Sequence, residues 1–372
     1  MPPRKRRNSR EIVRSESKAI AVLSSSLVLR GLREFPHNPT WRVRQAFTGT
    51  RRLLAISQRG YVAIFGDEGR TPSHRIDIHD LELSWLPTHI EIPGERKAPD
   101  GPTRASLAWS PSGKNLAVAS NGWPHEFHLL DAYGGAFQCR FGKFDVVPEF
   151  LCWSGSEKYF VACANGPDKG MLQIWRSGDG AKRFEMLREI PASAFDENAR
   201  AEDLGDQGKL WGFGCAAFHP EEKMLAAVLE YDGEWSDDSI LLLTAPSLEV
   251  ISRIGATGAV SGLTWSRDGR RLFFCASGQA YVCDAGKREV TSLPFGADLC
   301  CYHPTQPLCA FYNCLLKNSE KGRIFIADAR SMNAIDECWA EGILDLRWSA
   351  DGRMLYAVAQ DGTAYLYENH PI

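Results

Sequence analysis

One short phrase recurs along this chain, and repetition constrains a fold more than composition does, because each copy must build the same unit. The phrase is an aromatic, then Ser, His or Thr, a turn, a basic residue and a small apolar run. Copies begin at Phe47, Trp109, Trp153, Phe218, Trp265, Tyr302 and Trp348. Seven positions on stand Leu54, Leu116, Phe160, Leu225, Leu272, Cys309 and Leu355. Five positions on stand Arg52, Lys114, Lys158, Lys223, Arg270, Pro307 and Arg353. Six of these are basic although Lys and Arg make up 43 of 372 residues, and chance would give about one. Successive aromatics lie 62, 44, 65, 47, 37 and 46 residues apart, so the two long intervals mark insertions.

Each copy predicts a hairpin. Alternation such as Leu263-Thr264-Trp265 is an inner strand, here strand a. The Ser-x-Asp-Gly stretch is a tight turn, since Asp and Gly accept turn dihedrals at low cost. The apolar run is a buried strand b. A third strand, c, follows at 61–65, 126–130, 171–175, 239–243, 279–283, 323–327 and 363–367. A small acidic residue often ends it, as at Asp131, Asp284, Asp328 and Glu368. Outer strands, d, are expected at 184–190 and 250–254.

The phrase resembles the WD-repeat family, whose repeats carry an aromatic-Ser-Pro-Asp-Gly turn and end strand c in Trp-Asp. The resemblance covers about residues 19–372 and implies an all-β, seven-bladed β-propeller with four-stranded antiparallel blades. Two departures stand out. The Trp-Asp dipeptide is absent, its nearest forms being Trp175-Arg176 and Cys283-Asp284, and the Gly-His pair before strand a is missing. The repeats are therefore degenerate, and the buried tetrad of such repeats is not expected.

The last copy ends near Tyr367, so the last blade lacks a fourth strand of its own. An open blade exposes a strand edge. The apolar stretch at 19–29 is expected to pair there and close the ring, leaving residues 1–18 as a basic disordered tail. Insertions are expected near 70–104, 191–213, 231–238 and 313–322.

Alternating strand direction sorts the connections onto two faces. The a–b and c–d turns share one, and the b–c and d–a loops share the other. On the first face a basic ring of Arg52, Lys114, Lys158, Lys223, Arg270 and Arg353 is expected, with Arg4, Lys5, Arg6 and Arg7 nearby, as a candidate anion surface. Residues 1–60 hold fourteen Lys/Arg and three Glu, a balance of +11; the net charge of −3 then leaves −14 elsewhere. On the other face the candidate partner-binding residues are Trp85, Trp123, Trp211 and Trp235, with Asp232, Glu234, Asp237 and Asp238. Exposed aromatics beside a charged rim are what protein interfaces use as anchors.

The search for chemistry yields little. Neither a G-x-S-x-G nucleophile elbow, an H-E-x-x-H pair nor a phosphate-binding G-x-x-x-x-G-K-[ST] loop occurs. His125 and His128 stand at i and i+3 on a strand, on opposite faces, and so do not chelate together. The segment 232–238 lacks the length and bidentate end of an EF-hand loop. His219 and His303 replace Ser in the turn and read as turn caps. Eleven cysteines form no C-x-x-C pair and read as buried free thiols, Cys163, Cys275, Cys283 and Cys309 among them. No cofactor or metal is expected. No apolar run approaches the ~18 residues of a membrane span, and no export signal is read. The expected compartment is the cytoplasm, or the nucleus in a eukaryotic host. These observations favour a non-catalytic scaffold that binds a protein partner on the elaborated face. The alternatives are nucleic-acid or anionic-surface binding by the basic tail and ring, and an enzyme with a central-channel site.

Overall fold

A computed structural model describes residues 27–34, 54–56, 58–59, 61–67, 73–80, 88–93, 105–120, 126–131, 137–143, 146, 148–165, 170–178, 183–195, 209–232, 238–314, 322–340, 342–359 and 363–369. Among them the chain forms seven four-stranded antiparallel sheets. Strand β1 (Leu27–Glu34) comes first. Sheet one runs outward as β2 (Leu54–Ile56), β3 (Tyr61–Asp67), β4 (Ser73–Asp80) and β5 (Thr88–Pro93). Sheet two is β6 (Ala105–Trp109), β7 (Asn115–Ser120), β8 (Phe127–Asp131) and β9 (Phe137–Phe141). Sheet three is β10 (Phe150–Trp153), β11 (Tyr159–Ala164), β12 (Met171–Gly178) and β13 (Arg183–Pro191). Sheet four is β14 (Lys209–Phe218), β15 (Met224–Asp232), β16 (Ser239–Thr244) and β17 (Val250–Gly255). Sheet five is β18 (Val260–Trp265), β19 (Arg271–Ala276), β20 (Gln279–Asp284) and β21 (Glu289–Ser292). Sheet six is β22 (Leu299–Tyr302), β23 (Leu308–Asn313), β24 (Gly322–Asp328) and β25 (Ala334–Ala340). Sheet seven is β26 (Ile343–Trp348), β27 (Met354–Ala359) and β28 (Thr363–Asn369), with β1 as its outer strand.

The innermost strands neighbour one another in the cyclic order β2, β6, β10, β14, β18, β22, β26 and back to β2. This is a β-propeller. In each sheet the order a, b, c, d follows the chain, because consecutive antiparallel strands pair most readily with their neighbours. Sheet seven departs from that order: β1 pairs with β28, from Leu27 opposite Asn369 to Glu34 opposite Thr363, with a bulge between Leu29 and Gly31. The paired strand thus starts at Leu27 and extends beyond the 19–29 stretch, and residues 1–26 lie outside the described set.

Burial is graded across each sheet. Strand b is sandwiched between the neighbouring sheets, so β11 and β27 are buried at every position. Strand d faces solvent, and β21 is exposed throughout. The apolar core is correspondingly divided into slices, each formed by two adjacent sheets. Phe127 and Phe141 of sheet two stack with ring centroids 5.1 Å apart, and Phe160 and Trp175 of sheet three meet Phe127 edge-on at 5.6 and 6.0 Å. The repeat aromatic bonds between sheets: the Trp153 indole donates to the Ala108 carbonyl at 3.2 Å, and Trp265 to Ala217 at 3.0 Å.

Sheet one corrects the repeat register. The Phe47 phrase placed strand b at Leu54 and made Arg52 its basic residue. Leu54–Ile56 is instead the innermost strand and Tyr61–Asp67 the second. The turn at Gln58–Arg59 takes the a–b place: the Gln58 carbonyl accepts the Ala350 amide of the neighbouring a–b turn at 3.0 Å. The first copy is therefore Ile56-Ser57-Gln58-Arg59-Gly60, with isoleucine in the aromatic position. Arg52, expected in the basic ring, lies outside the described residues. The stretch 70–104, expected as an insertion, contains β4 and β5, the third and fourth strands of this sheet. Trp85 falls in sequence between those two strands and lies outside the described residues.

Candidate functional site

The first face is built from the a–b turns. Their hydroxyls close them locally: Ser154 Oγ accepts the Tyr159 amide at 3.0 Å, Ser266 Oγ that of Arg271 at 2.9 Å, and Ser349 Oγ that of Met354 at 2.9 Å. Asp268 accepts from the Ser266 hydroxyl and the Arg270 amide, and Asp351 from the Ser349 hydroxyl and the Arg353 amide. Those bonds, the hydroxyl first, hold both carboxyls below the usual aspartate range.

Neighbouring turns are also joined, by two devices. Glu157 and Glu222 adopt positive φ, 62° and 57°, where other copies have Gly113, Gly269 and Gly352. Each glutamate reaches back to the preceding turn. Glu157 accepts the Ser112 amide at 2.5 Å; Glu222 accepts the Ser156 amide at 2.5 Å and its hydroxyl at 2.6 Å. At two of the glycine positions, Gly269 and Gly352, a histidine reaches forward. His219 Nδ1 accepts the Glu221 amide at 3.1 Å, so Nε2 carries the proton and donates to the Gly269 carbonyl at 3.2 Å. His303 Nδ1 likewise accepts Thr305 and Gln306 amides, and Nε2 donates to Gly352 at 3.0 Å. A Cβ on Gly269 or Gly352 would overlap the histidine ring. Burial lowers both histidines below their ordinary value, against the carbonyl bond, which raises it. Both are turn caps, and each also bonds two sheets together.

The basic positions Lys114, Lys158, Lys223, Arg270 and Arg353 are all exposed on this face. Three are engaged locally. Lys223 pairs with Glu221, Arg353 with Asp351 at 3.8 Å, and the Lys158 ammonium lies 5.0 Å from the Tyr159 ring centroid. Arg4, Lys5, Arg6 and Arg7 lie outside the described residues.

The opposite face carries the long connections. The d–a segment 192–208 begins with a 3-10 turn, Ala192–Phe195, which is tied to sheet four by Phe195 edge-on to Phe213 at 5.9 Å. Beside it Trp211, on β14, is half-buried rather than on a free loop. Here the junction of sheets three and four is tight. Gly170 and Gly212 meet so closely that a Cβ on Gly170 would overlap the Gly212 backbone. Buried Asn165 donates to Glu230 at 2.9 Å across the same seam. Asp238, expected in an exposed acidic rim, is buried. Its carboxylate accepts the Tyr231 amide at 3.3 Å and the Val260 amide at 2.7 Å, pinning the β15–β16 connection to sheet five. Buried amide donors, not solvent, stabilise that charge. Asp232 ends β15, and its side chain, like Trp85, Trp123, Trp235, Glu234 and Asp237, lies outside the described residues.

The central channel encloses about 380 Å³ and is lined by the inner strands, with Thr264, Cys152, Cys300, Asp345 and Arg347 among its polar walls. Asp345 and Arg347 pair at 3.4 Å, and the carboxylate raises the guanidinium value. No group of three His, Cys, Asp or Glu able to hold a metal occurs among the described residues. His128 is buried against Phe137, 5.8 Å between ring centroids, and burial, then Arg140, brings it down to about 4. Cys163, Cys275, Cys283 and Cys309 are buried thiols pushed upward by burial. No helix among the described residues is long and apolar enough to cross a membrane. The glutamates between turns had a visible signal, a carboxylate in a glycine position, which a search for chemical motifs does not register.

Residues 336–368 match the family model of the WD domain, G-beta repeat. That span runs from β25 through β26 and β27 into β28, so a sequence repeat is offset by one strand from a sheet. No curated protein matches the sequence. A chain in the crystal structure of a mitotic checkpoint complex is similar in fold, with a TM-score of 0.63 over 92% of this chain and 96% of that one, at 13% identity. Solved chains that match number 1472, so the likeness identifies an architecture and not a partner.

Proposed function

We propose that this WD-repeat propeller is a non-catalytic scaffold whose protein partner docks on the face of the b–c and d–a loops. Propellers of this family generally serve as protein-interaction scaffolds. The observation that carries the choice of face is the asymmetry of the connections. On one side, short turns are bonded to one another by Glu157, Glu222, His219 and His303, which spends their polar groups internally. On the other side, strands d and a of successive sheets are joined by the long connections 94–104 and 192–208, and half-buried Trp211 sits at the tight seam between sheets three and four. Loops on a rigid ring are where a fold of this kind can vary its recognition without disturbing its core.

The test is co-purification from the native host with Trp123, Trp211 and Trp235 each changed to Ala, and with Lys114→Glu as a control on the other face. The proposal expects partner recovery to drop in the tryptophan variants and to persist in the control. Full recovery with all three tryptophans removed, in a variant that still melts cooperatively, would refute this choice of face.

A further inference from the structure

The seams on the short-turn face are not closed alike. Between sheets two and three, and between three and four, a glutamate of the following turn bonds the preceding one. Between sheets five and six the following turn is His303-Pro304-Thr305-Gln306-Pro307, with glutamine where those glutamates stand. A cleft of about 650 Å³ opens there, lined by Arg267, Arg270, Arg271 and Arg330 and by only two carboxylates, Asp268 and Asp284.

Both carboxylates are already occupied by local donors. Asp268 takes the Ser266 hydroxyl at 2.6 Å and the Arg270 amide at 3.1 Å. Asp284 takes the Gly286 and Lys287 amides at 3.0 and 2.9 Å. The arginines divide in two. Arg267 and Arg271 each donate one N–H across the seam, to the Thr305 carbonyl at 3.2 Å and to the Ala329 carbonyl. Arg270 and Arg330 are exposed, and among the described residues neither guanidinium has an ion pair or hydrogen bond. Counting formal charges, four arginines and two aspartates give the cleft +2, in a protein whose net charge is −3.

We infer that this cleft binds an acidic peptide segment, with Arg270 and Arg330 as its carboxylate contacts and Arg267 and Arg271 as the seam that holds the walls apart. A guanidinium presents a planar fork that matches a carboxylate in two parallel bonds. The volume lies within the ~300–1,000 Å³ of ligand clefts and exceeds what one small anion fills. The site is on the face opposite the proposed partner-binding loops, so its failure leaves that proposal standing. Its success gives the ring two faces with different specificities.

The experiment is fluorescence anisotropy of the full chain with fluorescein-labelled hexaglutamate, with labelled hexaserine as the uncharged probe. Hexaglutamate should bind, hexaserine should not, and affinity should fall as salt rises. Arg270→Glu combined with Arg330→Glu should weaken hexaglutamate about tenfold or more, at the scale of losing one or two charged hydrogen bonds. Its melting temperature should stay unchanged, because neither side chain joins the sheets. Lys114→Glu, on the same face but another seam, should bind as wild type. Unchanged binding by the double variant overturns the assignment, as does equal loss in Lys114→Glu. Full displacement by low-millimolar inorganic phosphate makes the site one for small anions and also overturns it, as does tighter binding of a single-stranded oligonucleotide.

Discussion

The histidine–glycine seam yields the sharpest quantitative test. In Gly269→Ala the new side chain meets two separate penalties. The backbone stays at φ of 67°, where an L-residue costs about 1–2 kcal/mol. The new Cβ also overlaps the His219 imidazole, which must move and give up its bond to the residue 269 carbonyl. Displacing a packed side chain costs about 1–3 kcal/mol and the lost hydrogen bond about 1. The single substitution should therefore cost about 3–4 kcal/mol, the terms overlapping in part. His219→Ala should cost about 2–3 kcal/mol, losing a buried ring and the cap on the Glu221 amide. With the ring gone, alanine at 269 keeps only its backbone penalty. The double variant should then be about 2 kcal/mol less destabilised than the sum of the singles. Urea unfolding of the four proteins, read by tryptophan fluorescence and far-ultraviolet circular dichroism, measures that coupling. Additivity within about 0.5 kcal/mol would show that ring and glycine do not share the space, and would refute the account of this seam.

Other expectations follow from the same structure. Glu222→Ala should lose about 1–2 kcal/mol by freeing the Ser156 amide and hydroxyl, while Glu222→Gln should keep part of it; equal stability of wild type and the Ala variant in urea would count against the bond. Removing residues 1–34 deletes the partner of β28, and the expected outcome is an insoluble or oligomeric product on gel filtration; a stable monomer would refute the need for that strand. Acid should destabilise the ring before the aspartates titrate. His128, His219 and His303 all have folded values below the 6.5 of an unfolded histidine, so between those values the unfolded chain binds more protons. Their contribution is complete above about 6.5 and is lost as pH falls through the lowered values. For His128, from 6.5 to about 4, the loss is on the order of 3 kcal/mol, and a urea midpoint that stays flat from pH 7 to 4.5 would contradict it.

Much of the architecture is legible in the chain because one physical requirement repeats: an inner strand, a five-residue turn and a strand buried on both faces. The aromatic marks its end wherever the indole must reach the neighbouring sheet, as Trp153 and Trp265 do. It fails at Ile56, where an aliphatic residue fills that place, so the aromatic pattern falls on Phe47 instead and the next four strands lie out of its register. Periodicity within a strand could not reveal the slip, since β2 and β3 are both apolar runs and either suits a buried position. The surface was less legible. Asp238 looks like a neighbour of the acidic loop around it, but it is buried by amides contributed 7 residues before and 22 residues after it, which no local pattern encodes. The arginine cleft depends on Arg330 of sheet six meeting Arg270 of sheet five across 60 positions of sequence.

The division of the core into slices has a thermodynamic consequence. Each apolar cluster joins two neighbouring sheets, so stability is close to a sum of nearest-neighbour terms, as in a linear repeat array. A linear array frays from its ends, and a closed one has none. Weakening one slice therefore creates two ends at once, and the cooperative unit changes from a ring to an arc. Amide exchange should then report a single break that spreads in both directions from the weakest seam, with the strands of β11 and β27 type, buried at every position, the last to open.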